Sequence, residues 1–169
     1  MKNVYLVGFM GTGKTTVGKI LAKTLKKEFL EMDETIEKEN SKKITEIFKM
    51  HGEPYFRGLE KKLLRKISKK KNLIVSCGGG LICDTGNLET LKKSGTIFNL
   101  TASKESIYER TKKYKNRPLL NVVNPMKRIE KLMNLRMCYY SKAHYTIDTN
   151  GAEPEAVAEK IISILDGKK

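Results

Sequence analysis

Eight residues near the start of the chain, Gly8-Phe9-Met10-Gly11-Thr12-Gly13-Lys14-Thr15, match the spacing GxxxxGK[ST] in full. That spacing suits the polyphosphate of a nucleotide. Glycines let successive backbone N–H groups turn inward with no Cβ in the way, and a helix beginning at the loop adds positive potential where phosphates sit. Lys14 is placed to reach the β- and γ-phosphates and the Thr15 hydroxyl to ligate Mg²⁺. Gly11, Thr12, Gly13 and Thr16 complete the expected nucleotide contacts of this P-loop. A chance glycine-rich turn is the plain alternative. It is disfavoured because the motif follows an apolar run and opens a helical stripe, the context it requires. Motors, GTPases, transporters and kinases all share such a loop, so it implies nucleotide binding and leaves the reaction open. The small size favours a metabolite or nucleotide kinase, and no Asn-Lys-x-Asp signature of a GTPase occurs.

Four further clusters carry groups suited to a second substrate. Glu31 and Asp33 stand one residue apart at the end of an expected strand over 29–33, where both would point the same way. One would support the water shell of Mg²⁺ and the other would meet an acceptor hydroxyl. With Glu34 and Glu37 following, the same acids also suit a helix N-terminus. Arg57 and Glu60 are three residues apart and so are neighbours on a helix, where Glu60 could hold the Arg57 guanidinium for a carboxylate ligand. A surface ion pair is the competing reading. Gly78-Gly79-Gly80 follow a strand ending at Ser76, at the sheet edge where α/β proteins bind ligands, and allow close approach to the backbone. Arg117 and Arg136 form the last cluster, and neither says much alone.

The elements that must position these residues follow from periodicity. Buried strands are expected at 4–7, 29–33, 73–76, 97–100 and 145–148. Helical stripes run through Val17, Ile20, Leu21 and Leu25, through Ile44 and Ile47, and through Phe56, Leu59, Leu63, Leu64 and Ile67. Further helices are expected over 86–93, 103–111, 125–141 and 155–165, with Asn124 capping and Pro125 opening the third of these. This alternation predicts an α/β fold with a parallel sheet covered on both faces. Residues 112–124 are polar, basic and aperiodic, and are read as a mobile loop carrying Arg117.

The chain has 169 residues, which suits one domain spanning 1–169. Its net charge of +15 admits an anionic partner, but a solvated lysine-rich surface is the simpler reading. Only six of the 34 basic residues are Arg, so the Arg positions carry more information than the Lys positions. Cys77, Cys83 and Cys138 form no CxxC pair, which suggests reduced thiols in the cytosol. No segment approaches the roughly 20 apolar residues of a membrane span. The absence of Trp and of any clustered aromatic run argues against single-stranded nucleic acid as a partner.

Taken in order, these motifs resemble the shikimate kinase family. The resemblance rests on Gly8 to Thr15, the acidic pair with Asp33, Gly52-Glu53 to Phe56-Arg57, Gly78-Gly79-Gly80, Arg117-Pro118-Leu119-Leu120, Arg136 and Asp148-Thr149-Asn150, and it spans nearly the whole chain. It implies a P-loop kinase fold with a five-stranded parallel sheet flanked by helices, and a mobile lid over about residues 112–124. The implied reaction is ATP-dependent phosphorylation of the 3-hydroxyl of shikimate, with Mg²⁺, by a cytoplasmic monomer in aromatic amino-acid biosynthesis. It further implies that shikimate binds in the region of about 33–60, with Asp33, Arg57, Gly79, Gly80 and Arg136 as ligands. Arg57 and Arg136 would clamp the carboxylate, and Asp33 would orient or deprotonate the attacking hydroxyl. Arg117 would meet the transferring phosphate, and Arg110 with the Asn150 to Pro154 loop would flank adenine. Two departures from the family pattern stand out. Glu31 replaces the usual Asp, and Cys138 lies where proline is common, with Tyr140 retained. His51 and His144 match no functional position and are read as structural. The rivals are another small P-loop kinase, a nucleic-acid-stimulated ATPase and an inactive relative. The Arg57, triple-glycine and Arg136 set argues against the first, and retention of Lys14, Asp33, Arg117 and Arg136 against the last.

Overall fold

Five short strands, β1 (Asn3–Val7), β2 (Glu28–Glu31), β3 (Leu73–Ser76), β4 (Gly95–Thr101) and β5 (Tyr145–Asp148), form one sheet in the order β2-β3-β1-β4-β5, and every pairing is parallel. The computed structural model describes residues 2–112, 118–120 and 122–167. Arg117 and much of the loop read as a lid lie outside these residues. The chain crosses from one side of β1 to the other between β3 and β4. The loop after β1 therefore sits at the switch point of the sheet.

Side-chain alternation along the strands divides the core in two. Val4, Leu6, Ile74, Phe98, Leu100 and Ile147 face α1 (Lys14–Thr24) and α7 (Pro154–Asp166). Tyr5, Val7, Leu73, Val75 and Ile97 face the other way, toward α2 (Met32–Asn40), α3 (Ile44–Ile67), α4 (Thr85–Ser94), α5 (Lys104–Thr111) and α6 (Pro125–Tyr140). Each fully buried Leu or Ile contributes roughly 1.5–3 kcal/mol of transfer free energy, so both faces hold the strand ends in place.

Most expected elements are found within a residue or two of their sequence bounds. Asn124 caps α6 by accepting from the Lys127 N–H at 3.0 Å, and Pro125 opens it. The two helical stripes before and after Gly52 form one kinked α3, with Gly52 at φ 76° and ψ 174°. His144 is structural, since its Nδ1 accepts from the Ile97 N–H at 2.9 Å.

One expectation is corrected. The second strand does not run to Asp33. It ends at Glu31, where its partner β3 ends at Ser76, and Asp33 lies in the first turn of α2. Beyond Glu31 no neighbouring strand remains to pair with, and Asp33 and Glu34 favour a helix N-terminus. Glu31 and Asp33 therefore do not share a strand face. They belong to two elements that meet at the cleft. A 3₁₀ turn at Leu81–Cys83 and another at Pro118–Leu120 were not expected.

Candidate active site

A cleft of ≈ 770 Å³ runs along the C-terminal edge of the sheet, from the loop after β1 to the ends of β2 and β3. At one end is the phosphate loop. Gly8, Gly11 and Gly13 all have positive φ, and α1 starts at Lys14 directly after Gly13. Lys14 is buried, and its Nζ donates to the carbonyls of Gly8 at 3.0 Å and Phe9 at 2.9 Å, which holds the ammonium inside the loop. The Thr12 hydroxyl closes the loop by donating to Phe9 O at 2.8 Å, and its side chain does not line the cleft. Arg110 ties the loop to the strand beyond it, donating to Gly11 O at 3.2 Å and to Thr149 O at 3.0 Å.

Glu31 reaches the same loop from the end of β2. The Thr15 hydroxyl donates to Glu31 Oε2 at 2.6 Å. Burial raises the Glu31 pKa, while the Thr15 hydroxyl and the Lys14 charge pull it down. Thr15 and Glu31 together offer hard oxygen donors beside the phosphate loop, the kind Mg²⁺ accepts alongside phosphate oxygens and water. Among the described residues no cluster of three or more His, Cys, Asp or Glu forms a metal cage.

The other end of the cleft is built around guanidinium groups. Arg57, on α3, donates through Nη1 to Glu60 Oε2 at 2.5 Å and through Nη2 to Glu53 Oε1 at 2.7 Å. Arg136, on α6, is buried, and its Cζ lies 5.8 Å from the centre of the Phe9 ring. The glycine turn after β3 lies between the two. A Cβ on Gly80 would stand 2.6 Å from the Arg57 guanidinium, and one on Gly79 would stand 3.5 Å from Arg136 Nη1. A Cβ on Gly78 would collide with Glu60 Oε1. Gly78 and Gly80 leave the space that Glu60 and Arg57 occupy, while the approach at Gly79 is an ordinary contact.

Glu60 has no exposed surface. Burial pushes its carboxyl up to about 7, with the Arg57 guanidinium opposing that rise and the nearby Asp33 adding to it. The pairing of Arg57 with Glu60 expected from their spacing is thus present, with Glu60 buried and Arg57 half-buried at the cleft.

The cleft brings together Gly11, Gly13, Lys14, Thr15, Thr16, Glu31, Asp33, Arg57, Gly79, Gly80, Arg110 and Arg136. Asn150 and Pro154 do not line it. The Asn150 side chain accepts from the Ser103 N–H at 2.9 Å and donates to Asp148 at 2.7 Å, and Pro154 opens α7.

The family described as Shikimate kinase matches residues 10–166. The chain belongs to the shikimate kinase family. A shikimate kinase of Thermodesulfovibrio yellowstonii is 50% identical over 162 residues, covering 96% of this chain and 94% of that protein. A shikimate kinase of Acinetobacter baumannii, solved in complex with shikimate, superposes with a TM-score of 0.97 at 40% identity, covering 100% of this chain and 95% of the other. The shikimate kinase of Aquifex aeolicus superposes with a TM-score of 0.83 at 35% identity, covering 98% of this chain and 97% of the other.

Within this shikimate kinase fold the sequence leaves several cleft residues unmarked. Phe48 and Phe56, with ring centres 5.0 Å apart, form an apolar wall beside Arg57. Only Phe56 stood out, as a core residue. Leu119, within the unexpected 3₁₀ turn and quoted above only as part of Arg117-Pro118-Leu119-Leu120, also lines the cleft. No spacing signal links it to residues of α3 or β3, since the contact arises only through the fold.

Proposed function

We propose that this chain transfers the γ-phosphoryl group of ATP to the 3-hydroxyl of shikimate, giving shikimate 3-phosphate and ADP in aromatic amino-acid biosynthesis. The observation that carries this reading is a single cleft with a phosphate loop at one end and two guanidinium groups around a glycine turn at the other, in a chain of the shikimate kinase family.

The assignments follow from what each group can do. Gly11 to Thr16 hold the triphosphate, with Lys14 positioned to stabilise charge that develops on the transferring group. Arg110, between Gly11 and Thr149, borders the adenosine side, and we keep Asn150 and Pro154 as backbone neighbours of adenine. Arg57 and Arg136 take the shikimate carboxylate, whose planar geometry suits guanidinium forks better than ammonium groups. Gly79 lies beside Arg136 and Gly80 beside Arg57, so their backbone is available to the same ligand. Asp33 accepts the proton of the attacking hydroxyl as its oxygen bonds to the γ-phosphorus and the bond to the β-phosphate oxygen breaks. Arg117 is assigned to the transferring phosphoryl group on sequence grounds, within a 112–124 segment that we read as the lid.

The Thr15 hydroxyl and the Glu31 carboxylate, joined at 2.6 Å, would hold Mg²⁺, Thr15 directly and Glu31 through water. Bound there, the ion would neutralise charge on the β- and γ-phosphates. We further read the protein as a cytoplasmic monomer with no nucleic-acid or membrane partner. Among the described residues no helix is long and apolar enough to cross a membrane.

A coupled assay of ADP release from ATP, with and without shikimate, tests the central claim. Release should depend on shikimate, and the product should be shikimate 3-phosphate. Efficient phosphorylation of gluconate or of a nucleoside monophosphate, with shikimate left unreacted, would overturn it.

A further inference from the structure

The acceptor end of the cleft depends on a turn of three glycines, in which the carbonyls of Gly78 and Gly80 accept from the Leu81 and Cys83 N–H groups at 3.1 Å each. Gly78, Gly79 and Gly80 offer no side chains to pack, and each can sample backbone conformations closed to other residues. Those backbone bonds orient the peptides on either side of the Gly79–Gly80 peptide, and a further contact orients that one. Tyr140, in the last turn of α6, meets this turn from behind. Its hydroxyl donates to Gly79 O at 2.5 Å across 61 residues of sequence. Tyr140 is buried and does not line the cleft, whereas Gly79 and Gly80 do.

Peptide geometry turns that one bond into a statement about the cleft. The bond between Gly79 and Gly80 is planar and trans, so the carbonyl of Gly79 and the N–H of Gly80 point in opposite directions. A carbonyl drawn back toward Tyr140 aims the Gly80 N–H forward, toward the cleft. One helical turn before Tyr140, Arg136 is held beside Gly79 with its guanidinium over the Phe9 ring. Helix α6 thus engages the glycine turn through two residues on the same face, four apart. One supplies a guanidinium to the cleft, and the other fixes the peptide beside it.

We propose that Tyr140 is a positioning residue for the acceptor substrate: its hydroxyl, by holding the Gly79 carbonyl, orients the Gly80 N–H to donate to shikimate next to the Arg57 and Arg136 forks. The proposal rests on the assignment of this end of the cleft to shikimate. Tyr140 does not line the cleft, so it acts through the groups it contacts, the Gly79 carbonyl and the neighbouring Arg136 side chain. Its phenol is suited to the task, because burial pushes its pKa up to about 12 and it remains a donor at every working pH.

A buried tyrosine hydroxyl also needs a partner for stability alone, so the test must separate the two roles. Tyr140→Phe removes one oxygen and keeps the ring that packs in the core. The expected result is a shikimate KM and Kd raised about fivefold, the size of one net hydrogen bond. The ATP Kd should stay unchanged, and kcat at saturating shikimate should fall less than twofold. An amide spectrum gives a readout independent of turnover. The Gly80 N–H signal should shift on adding shikimate to the parent protein, and should shift much less in Tyr140→Phe. A lower melting temperature with an unchanged shikimate Kd and an unchanged Gly80 response would reduce Tyr140 to a structural role and overturn the proposal. Arg136→Lys serves as the companion measurement. If it weakens shikimate and Tyr140→Phe does not, the positioning role alone fails. If neither change affects shikimate, the assignment of this end of the cleft fails with it.

Discussion

A carboxyl with no exposed surface, hydrogen-bonded to Arg57 and close to Asp33, ionises only against its surroundings. Glu60 has a folded-state pKa of about 7 against an ordinary value of 4.5. The folded chain therefore binds its proton more tightly than the unfolded chain does. The resulting stabilisation is complete below the ordinary pKa and is lost as pH rises toward 7. Ligand binding acts on the same proton. A carboxylate docked on Arg57 shares that guanidinium with Glu60 and brings a second negative charge beside it. This raises the Glu60 pKa further, so shikimate binding should take up a fraction of a proton near neutral pH. Affinity for shikimate should then rise as pH falls from about 8 to about 6. Calorimetry in buffers of different ionisation enthalpy measures the proton directly. Glu60→Gln keeps an acceptor for Arg57 and should abolish both the uptake and the pH dependence. Proton release on binding, or an uptake unchanged in Glu60→Gln, would show that Glu60 does not sense the ligand.

The glycine turn after β3 shows how an element can be tuned to side chains that it does not contain. Gly80 has φ −102° and ψ −7°, a conformation alanine accepts, so Gly80→Ala adds no backbone strain. Its Cβ would stand 2.6 Å from the Arg57 guanidinium, the far end of a flexible side chain that can swing aside. The melting temperature should fall, because an Arg57 that swings aside loosens its bond to buried Glu60, but by less than in Gly78→Ala, while shikimate affinity falls by about tenfold or more as one charged hydrogen-bond pair is displaced. Gly78→Ala meets Glu60 instead, which is fully buried and has nowhere to go. Stability and shikimate affinity should both drop. Thermal melts combined with separate ATP and shikimate titrations distinguish the two variants. Equal losses of stability in both would mean that the turn is merely tightly packed. Such elements also mark how far the sequence could be read. Phosphate loop, strands and most helices were legible because each is encoded by neighbours: a glycine spacing, an apolar run, a periodic stripe. The turn itself was visible as three glycines. Its contacts with Arg57, Glu60, Arg136 and Tyr140 were not, because α3 and α6 reach it only through tertiary packing. Helix α2 entered only as the competing reading of the acids at 31–37, and its omission from the expected elements follows from a buried stripe of only Met32 and Ile36, too sparse to read. That omission in turn misplaced Asp33 on a strand.

At the scale of the whole molecule, five parallel strands deliver their C-terminal ends to one edge, so residues from 11 to 136 meet in a single cleft. The two substrates then load different parts of one fold. In the proposed assignment ATP engages the loop between β1 and α1, and shikimate engages α2, α3, α6 and the turn after β3. Both bind only the native state, so each should raise the melting temperature. At a ligand concentration of about 100 Kd the gain is about 2.7 kcal/mol. For a chain of this size that corresponds to roughly 5–10 °C. Arg57→Lys and Arg136→Lys preserve charge but lose the two-pronged geometry for a carboxylate. At the same shikimate concentration a tenfold weaker Kd removes about 1.4 kcal/mol of that gain, or roughly 3–5 °C. The ATP increment should largely survive, because the hydrogen bonds that hold the phosphate loop come from Lys14, Thr12 and Arg110, and Arg136 meets the loop only at the Phe9 ring. Melting curves for the parent and both variants, with no ligand, ATP alone and shikimate alone, settle the division of labour. Loss of the ATP increment alone would move these arginines to the nucleotide side. Equal loss of both increments would mean that the cleft responds as one coupled unit, with α3 and α6 supporting the phosphate loop as well as the acceptor.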